Sequence, residues 1–234
     1  MKLPLIAIFS ALFIAAGARA QTTNSFFQSV NAAIPDDNPN GVASSIAVSG
    51  IGGSISGISV TLDITSGFNG DLYGYLVNSN GGAFSVLLNR AGVQSGNAFG
   101  YGDSGFHVTL TDTAVNNLHF YQNGGYTLDA SGALTGIWGA DGRNINPAAN
   151  PAILGGTAPT ATLSQFIGTN PNGEWTLFLE DSSGGFQSVL QDWQLQIESV
   201  PEPTSSRLML VSAVLGAIYF WRRNNTRQAS WLKT

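Results

Sequence analysis

The chain predicts an antiparallel β-sandwich, and three observations carry that reading. Apolar residues recur at every second position in several runs, glycine- and asparagine-rich breaks separate the runs, and 29 of 234 residues are glycine. A strand turns successive side chains to opposite faces, so alternation marks one buried and one wet face; a helix would need a period near 3.6.

Ile58, Val60, Leu62 and Ile64 alternate with Ser59, Thr61 and Asp63. The same period recurs in Phe84, Val86 and Leu88, in Phe106, Val108 and Leu110, in Trp175, Leu177 and Leu179, and in Trp193, Leu195 and Ile197. Between them, pieces such as Asn78-Ser79-Asn80-Gly81-Gly82 supply turns that use positive φ. Trp175 and Trp193 fall on the apolar side and are expected as core anchors. One stretch, from Gln122 to about Thr160, lacks the rhythm and is rich in Gly, Asn, Ala and Pro. A loop of that length is either a packed crossover, with Trp138 plugging the end of the sandwich and Arg143 paired to a carboxylate, or a ligand-contacting surface.

Both ends read as membrane-directed. Lys2, the apolar run Leu3 to Ala16 and the ending Ala18-Arg19-Ala20 form a signal peptide over 1–20, cut after Ala20 by signal peptidase. At the other end Pro201-Glu202-Pro203 precedes Leu208 to Trp221, fourteen uncharged residues, and then Arg222-Arg223. Proline at 201 and 203 keeps the motif extended. The apolar run spans ~21 Å as a helix against a ~30 Å hydrocarbon core, which is short for a permanent anchor, and the arginine pair favours the cytoplasmic side. This leaves one domain over 21–199, long enough for a sizeable core, and a sorting segment over 200–234.

Segment 200–234 resembles the PEP-CTERM signal of exported bacterial proteins. The resemblance implies an exosortase as partner, a transient inner-membrane stage, and delivery to the cell surface or exopolysaccharide matrix of a Gram-negative-type bacterium. A simple tail anchor is the alternative.

Charge and composition exclude several classes. Residues 21–200 carry thirteen acidic side chains against Arg90 and Arg143 and no lysine, a net of −11. Such a surface repels phosphate backbones, so nucleic acid is not an expected partner. Without cysteine there are no disulfides, catalytic thiols or thiolate metal sites.

Three ordered blocks resemble the P domain (P/Homo B domain) that accompanies the catalytic domain of subtilisin-like proprotein convertases. They are Ile34-Pro35-Asp36-Asp37-Asn38-Pro39-Asn40-Gly41, the middle stretch Ile58 to Arg90 with Asn69-Gly70-Asp71-Leu72, and Asn172-Gly173-Glu174-Trp175-Thr176-Leu177 through Asp181 to Asp192-Trp193-Gln194-Leu195. The resemblance implies a jelly-roll-like sandwich and an accessory module rather than the protease itself. Thr65 stands where many members have histidine, and the 122–160 loop is longer than theirs.

No catalytic constellation is expected. Gly102-Asp103-Ser104-Gly105 is similar to a serine-protease tetrapeptide, but both histidines, His107 and His119, follow Ser104, the reverse of the chymotrypsin order. Alternation places both histidines toward solvent. Glu174 and Glu180 flank the strand of Trp175 and are expected on its wet side, with Asp181 completing the carboxylates that a glycosidase would need. Asp36-x-Asn38-x-Asn40-Gly41 opens like an EF-hand loop, but Ala47 occupies the twelfth position and no helices flank it. A looser calcium site built from Asp36, Asn38, Asp71 and Asp181 is the remaining metal reading, with Asp71 otherwise capping a tight turn; no other cofactor is expected. The sequence therefore points to a non-catalytic exported matrix or surface protein. A carbohydrate-binding module stacking sugars on Trp138, Tyr126 and Tyr121 is the first alternative, and a small secreted hydrolase the second.

Overall fold

The computed structural model describes residues 21–201 and 214–220. The signal segment with Ala18 and Ala20, and Glu202, Pro203, Arg222 and Arg223 of the sorting motif, lie outside the described residues. The chain divides into two compact units between Val200 and Pro201. In the second, residues 214–220 are helical, within the run expected to form the apolar helix. No described helix is long and apolar enough to cross a membrane.

The first unit is a two-layer sandwich. Its nine strands are β1 (Thr22–Ala33), β2 (Asn38–Val48), β3 (Ser54–Thr65), β4 (Leu72–Asn78), β5 (Phe84–Asn89), β6 (Gly105–Thr111), β7 (Leu134–Trp138), β8 (Gly173–Asp181) and β9 (Val189–Val200). One sheet has the order β1-β9-β3-β6-β7, the other β2-β8-β4-β5. Among the described residues the strand pairings are antiparallel, as expected, except β6 with β7, which run parallel at one edge. The crossover from β6 to β7 is what permits it: a connection of more than twenty residues, carrying a 3₁₀ turn at Leu118–Asn123, returns the chain in the same direction.

Every alternating run read from the sequence is a strand. Val60, Leu62 and Ile64 of β3, Trp193, Leu195 and Ile197 of β9, and Trp175, Leu177 and Leu179 of β8 are completely buried. Strand β5 departs from simple alternation, since Ser85 to Asn89 are all buried. The cause is the long 122–160 segment, which folds over β5: the Leu87 carbonyl accepts from Asp141 N and the Val86 carbonyl from Gly142 N. That segment is a packed crossover containing β7 and a short helix, α1 (Pro151–Gly156), capped by the Asn150 side chain. Trp138 ends β7 only 5 % exposed.

The two layers are joined through the tryptophans. Trp193 Nε1 donates across the sandwich to Ser44 Oγ of β2 at 2.9 Å. Trp175 Nε1 donates to the Pro171 carbonyl at 2.8 Å, and its ring packs on Phe166 with centroids 4.8 Å apart. Each buried indole removes roughly 150–250 Å² from water, and each N–H is satisfied. Trp175→Ala or Trp193→Ala should therefore each lose ~3–5 kcal/mol in denaturant unfolding. Losses below about 1 kcal/mol at both would contradict their role as anchors.

Candidate functional site

The sequence candidates divide between three places. Around Ser104 nothing catalytic is assembled. Ser104 lies in the loop before β6, and its amide donates to the Gly132 carbonyl. His107 sits on the outer face of β6 at 35 % side-chain exposure, gripped rather than free in solvent. Its Nε2 lies 2.7 Å from Asp63 Oδ1 of β3, and its Nδ1 contacts Asp129 Oδ2 from the segment before β7. Both ring nitrogens thus face carboxylates and neither faces Ser104. The Ser131 hydroxyl, with the Ser131 and Ala133 amides and His107, holds the Asp129 carboxyl far below the usual range.

His119 corrects the expectation of a solvent-facing ring. It lies in the 3₁₀ turn and is completely buried, because the turn replaces the strand that alternation implied. Its Nδ1 is 2.7 Å from Asp141 Oδ2 and its Nε2 donates to the Val93 carbonyl at 3.0 Å. Arg143 Nη1 reaches Asp141 Oδ1 at 3.3 Å, as expected of a local pair, and its guanidinium stacks 4.9 Å above Phe120. This buried knot pins the crossover onto β5. The sugar-stacking candidates are largely consumed by the same packing. Tyr121 is 1 % exposed and Trp138 lies against it, leaving Tyr126 alone at the surface.

The third place is one end of the four-stranded sheet. Asp71 immediately precedes β4, Asp181 closes β8 opposite Leu72, and Asp36 and Asp37 form the turn from β1 to β2. Asp37 takes φ +48°, and Asn38, paired with Asp181, accepts the Asn40 amide in an Asx turn. The Asp36 carboxylate accepts the Gly185 amide at 3.1 Å. Asp71 does not cap the turn with its carboxylate; its backbone N–H bonds Phe68 O, and the Asn69 side chain instead accepts the Gly105 amide at the start of β6 at 2.9 Å. Asp181 Oδ1 accepts the Ser183 amide, but Oδ2 is buried with no partner. Glu180, expected on the wet side, is also buried, bonded by the Ser182 hydroxyl.

Burial pushes both carboxyls up to about 6. For Asp71 the Arg90 guanidinium opposes the rise and Asp36 adds to it; for Asp181 the Ser183 amide opposes it while Asp71, Asp36 and Asp37 add to it. These are hard oxygen donors with one orphaned buried atom, a chemistry that suits calcium. Among the described residues, no three His, Cys, Asp or Glu side chains form a ready metal group, so an ion held here would draw the remaining ligands from carbonyls or water.

Residues 155–197 match the family model of the proprotein convertase P-domain. The match contains the third of the blocks noted above. No curated protein matches the chain. Among solved structures, the Aeromonas sobria serine protease in complex with its chaperone ORF2 is similar at 14 % identity and a TM-score of 0.42, covering 84 % of this chain. The A. sobria protease alone is similar at 14 % identity and 0.40, covering 83 %. This chain spans only 30 % of either protein's length. The chain carries a P-domain-like β fold.

The acidic end makes a prediction with a definite sign. Asp71 and Asp181 hold their protons to about pH 6 when folded and release them near 3.8 when unfolded. Their contribution is therefore complete below about pH 4 and is lost as pH rises to about 6. In chelator, Asp181→Asn should melt with the parent near pH 4 and roughly 2–6 °C above it at pH 7.5. Calcium should raise the parent's melting temperature at pH 7.5 by mass action and leave Asp181→Asn unchanged. Identical parent curves in calcium, magnesium and chelator would remove the cation reading.

Proposed function

We propose that this protein is a non-catalytic, exported β-sandwich, delivered to the cell surface or exopolysaccharide matrix by an exosortase that reads segment 200–234. The observation that carries the proposal is the pairing of the domain's first and last strands. In the antiparallel ladder of β1 with β9, Thr22 faces Ser199, so the domain begins and finishes at neighbouring backbone positions about 5 Å apart. The described part of the domain thus starts and finishes at the same end of the five-stranded sheet. Strand β9 ends at Val200, immediately before Pro201-Glu202-Pro203. Cleavage after Ala20 and near the Pro-Glu-Pro motif would remove both segments without breaking a strand.

The non-catalytic part of the proposal is supported by the histidines. Every ring nitrogen of His107 and His119 is occupied by a carboxylate or a carbonyl, which leaves no base for Ser104. The acidic end with Asp71 and Asp181 then serves stability, with calcium as its ligand.

Mass spectrometry of the protein released by a host with an exosortase should find Gln21 at the N-terminus and no residues beyond about Pro203. Retention of Trp221 to Thr234 on most exported molecules would replace sorting with a tail anchor. Peptide and polysaccharide substrates should stay intact, and Ser104→Ala should be silent; hydrolysis abolished by Ser104→Ala or His107→Ala would make the protein an enzyme.

A further inference from the structure

The sandwich has four strand edges, and they are treated unequally. The edge of β5 is covered by the crossover: Val86 N donates to Ala161 O, and the Val86 and Leu87 carbonyls accept Gly142 N and Asp141 N. The edge of β7 is only five residues long and is met by the segment before it, with Leu128 bridged to Leu134 and Thr135 N donating to Thr127 O. Strand β2 begins with Pro39 and Gly41, and its register with β8 breaks between Asn38 and Val42. These are the devices that keep sheet edges from pairing with other chains.

Strand β1 has none of them over most of its length. Thr22 to Ser29 pair with Ser199 to Asp192 of β9 in unbroken register, and the irregularity comes only after Ser29. Among the described residues no strand lies on its other side. Thr22, Thr23, Ser25, Phe27 and Ser29 are all exposed, Phe27 to 63 %. The whole stretch Gln21 to Pro35 contains no charged residue, in a domain of net charge −11.

We infer that β1 is an assembly edge that pairs antiparallel with β1 of a second copy, joining two five-stranded sheets into one of ten. The charge distribution selects a second copy as the occupant. Two molecules of the same strong negative charge can approach closely only where charge is missing, and β1 is such a strip. The nearest carboxylates behind it are on β9, where Glu198 pairs with Thr23 and Asp192 with Ser29. In the joined sheet the two β9 strands would lie three strand spacings apart, roughly 14 Å. That exceeds a Debye length of about 8 Å at physiological salt. An antiparallel β1 pair is also self-complementary about a two-fold axis, so the contact closes at a dimer. The inference rests on the fold and does not require the sorting proposal.

The absence of cysteine makes the test clean. Single cysteines at Thr23, Ser25, Phe27 and Ser29, with Ser45→Cys on β2 as control, are introduced into the protein exported through its own leader, and each is oxidised. Two antiparallel copies bring a residue opposite itself only at the two-fold axis, so disulfide yield should be highest at the one β1 position on that axis or the two flanking it, fall away from there and be absent at Ser45. Sedimentation at high micromolar concentration should show a dimer, and the double variant Ser25→Lys with Phe27→Lys should associate at least about tenfold more weakly with an unchanged strand spectrum. Monomer throughout, equal yields at all β1 positions, or a dimer that cross-links at Ser45 or survives the lysines would overturn the inference.

Discussion

The structure depends on what fills the space between its two sheets, because no disulfide staples them. With no cysteine in the chain, the layers are held by burial and by a few directed contacts through the core. Trp193 is the clearest of these. It rises from the inner face of β9 and donates its indole N–H to Ser44 on the facing sheet, so one side chain supplies both apolar area and a hydrogen bond that fixes how the layers face each other. Trp175 makes the reciprocal use of its position on β8, packing on Phe166 and reaching Pro171. A buried indole is tolerated only where its N–H finds an acceptor, and both do.

The strands carrying these anchors were legible in the sequence because they combine large apolar residues with strict alternation. Strand β1 was not. Its inner-facing set is Asn24, Phe26, Gln28, Val30 and Ala32, two of the five polar and all only half-buried, and the period dissolves into an uncharged run. Strand β5 misled differently, since a covering segment buried the face that should have been wet. The histidines show where alternation stops being a guide. His107 does lie on an outer face, but its carboxylate partners come from β3 and from the segment before β7, remote in sequence. His119 follows Leu118 in an apparent alternation that the chain resolves as a 3₁₀ turn, because the Asn117 side chain accepts the His119 amide and opens the helical path. The calcium candidates were legible as residue types. Their convergence at one end of a sheet, and the unpartnered oxygen of Asp181, depended on strand register.

Electrostatics sort the domain's acidic residues into two populations. The imidazoles and one of the two arginines of the sandwich are concentrated on a few of them: His107 on Asp63 and Asp129, His119 and Arg143 on Asp141. Arg90, held at φ +49°, spends its guanidinium largely on the Gly70 and Pro147 carbonyls and eases only Asp71. The crossover is thereby pinned by the buried His119–Asp141–Arg143 contacts, while the end formed by Asp36, Asp71 and Asp181 is left with repulsion. Two buried carboxyls raised by desolvation, with Asp36 adding to Asp71 and with Asp71, Asp36 and Asp37 adding to Asp181, are a store of unfavourable energy at neutral pH. A divalent ion bound here would relieve it directly, which is a sounder reason to test for one than the overall acidity of the chain.

The position of β9 ties the fold to the proposed route of export. It is an interior strand, paired with β1 on one side and β3 on the other along nearly its whole length, and it supplies Trp193, Leu195 and Ile197 to the core. Against a tether at its C-terminal end, which the proposed sorting route requires, β9 would be held by two hydrogen-bonded ladders rather than one. The strand beginning the domain is its direct neighbour, with Thr22 beside Ser199, so both tethers would load the same three-stranded region. Removing them leaves β1 as the outermost strand of that region. A strand anchored by a twelve-residue partner on one side and uncharged on the other is stable enough to persist as an edge and open enough to accept another strand. In the proposed route, the register that sets the domain's two ends side by side also leaves β1 as the edge at which two copies would pair.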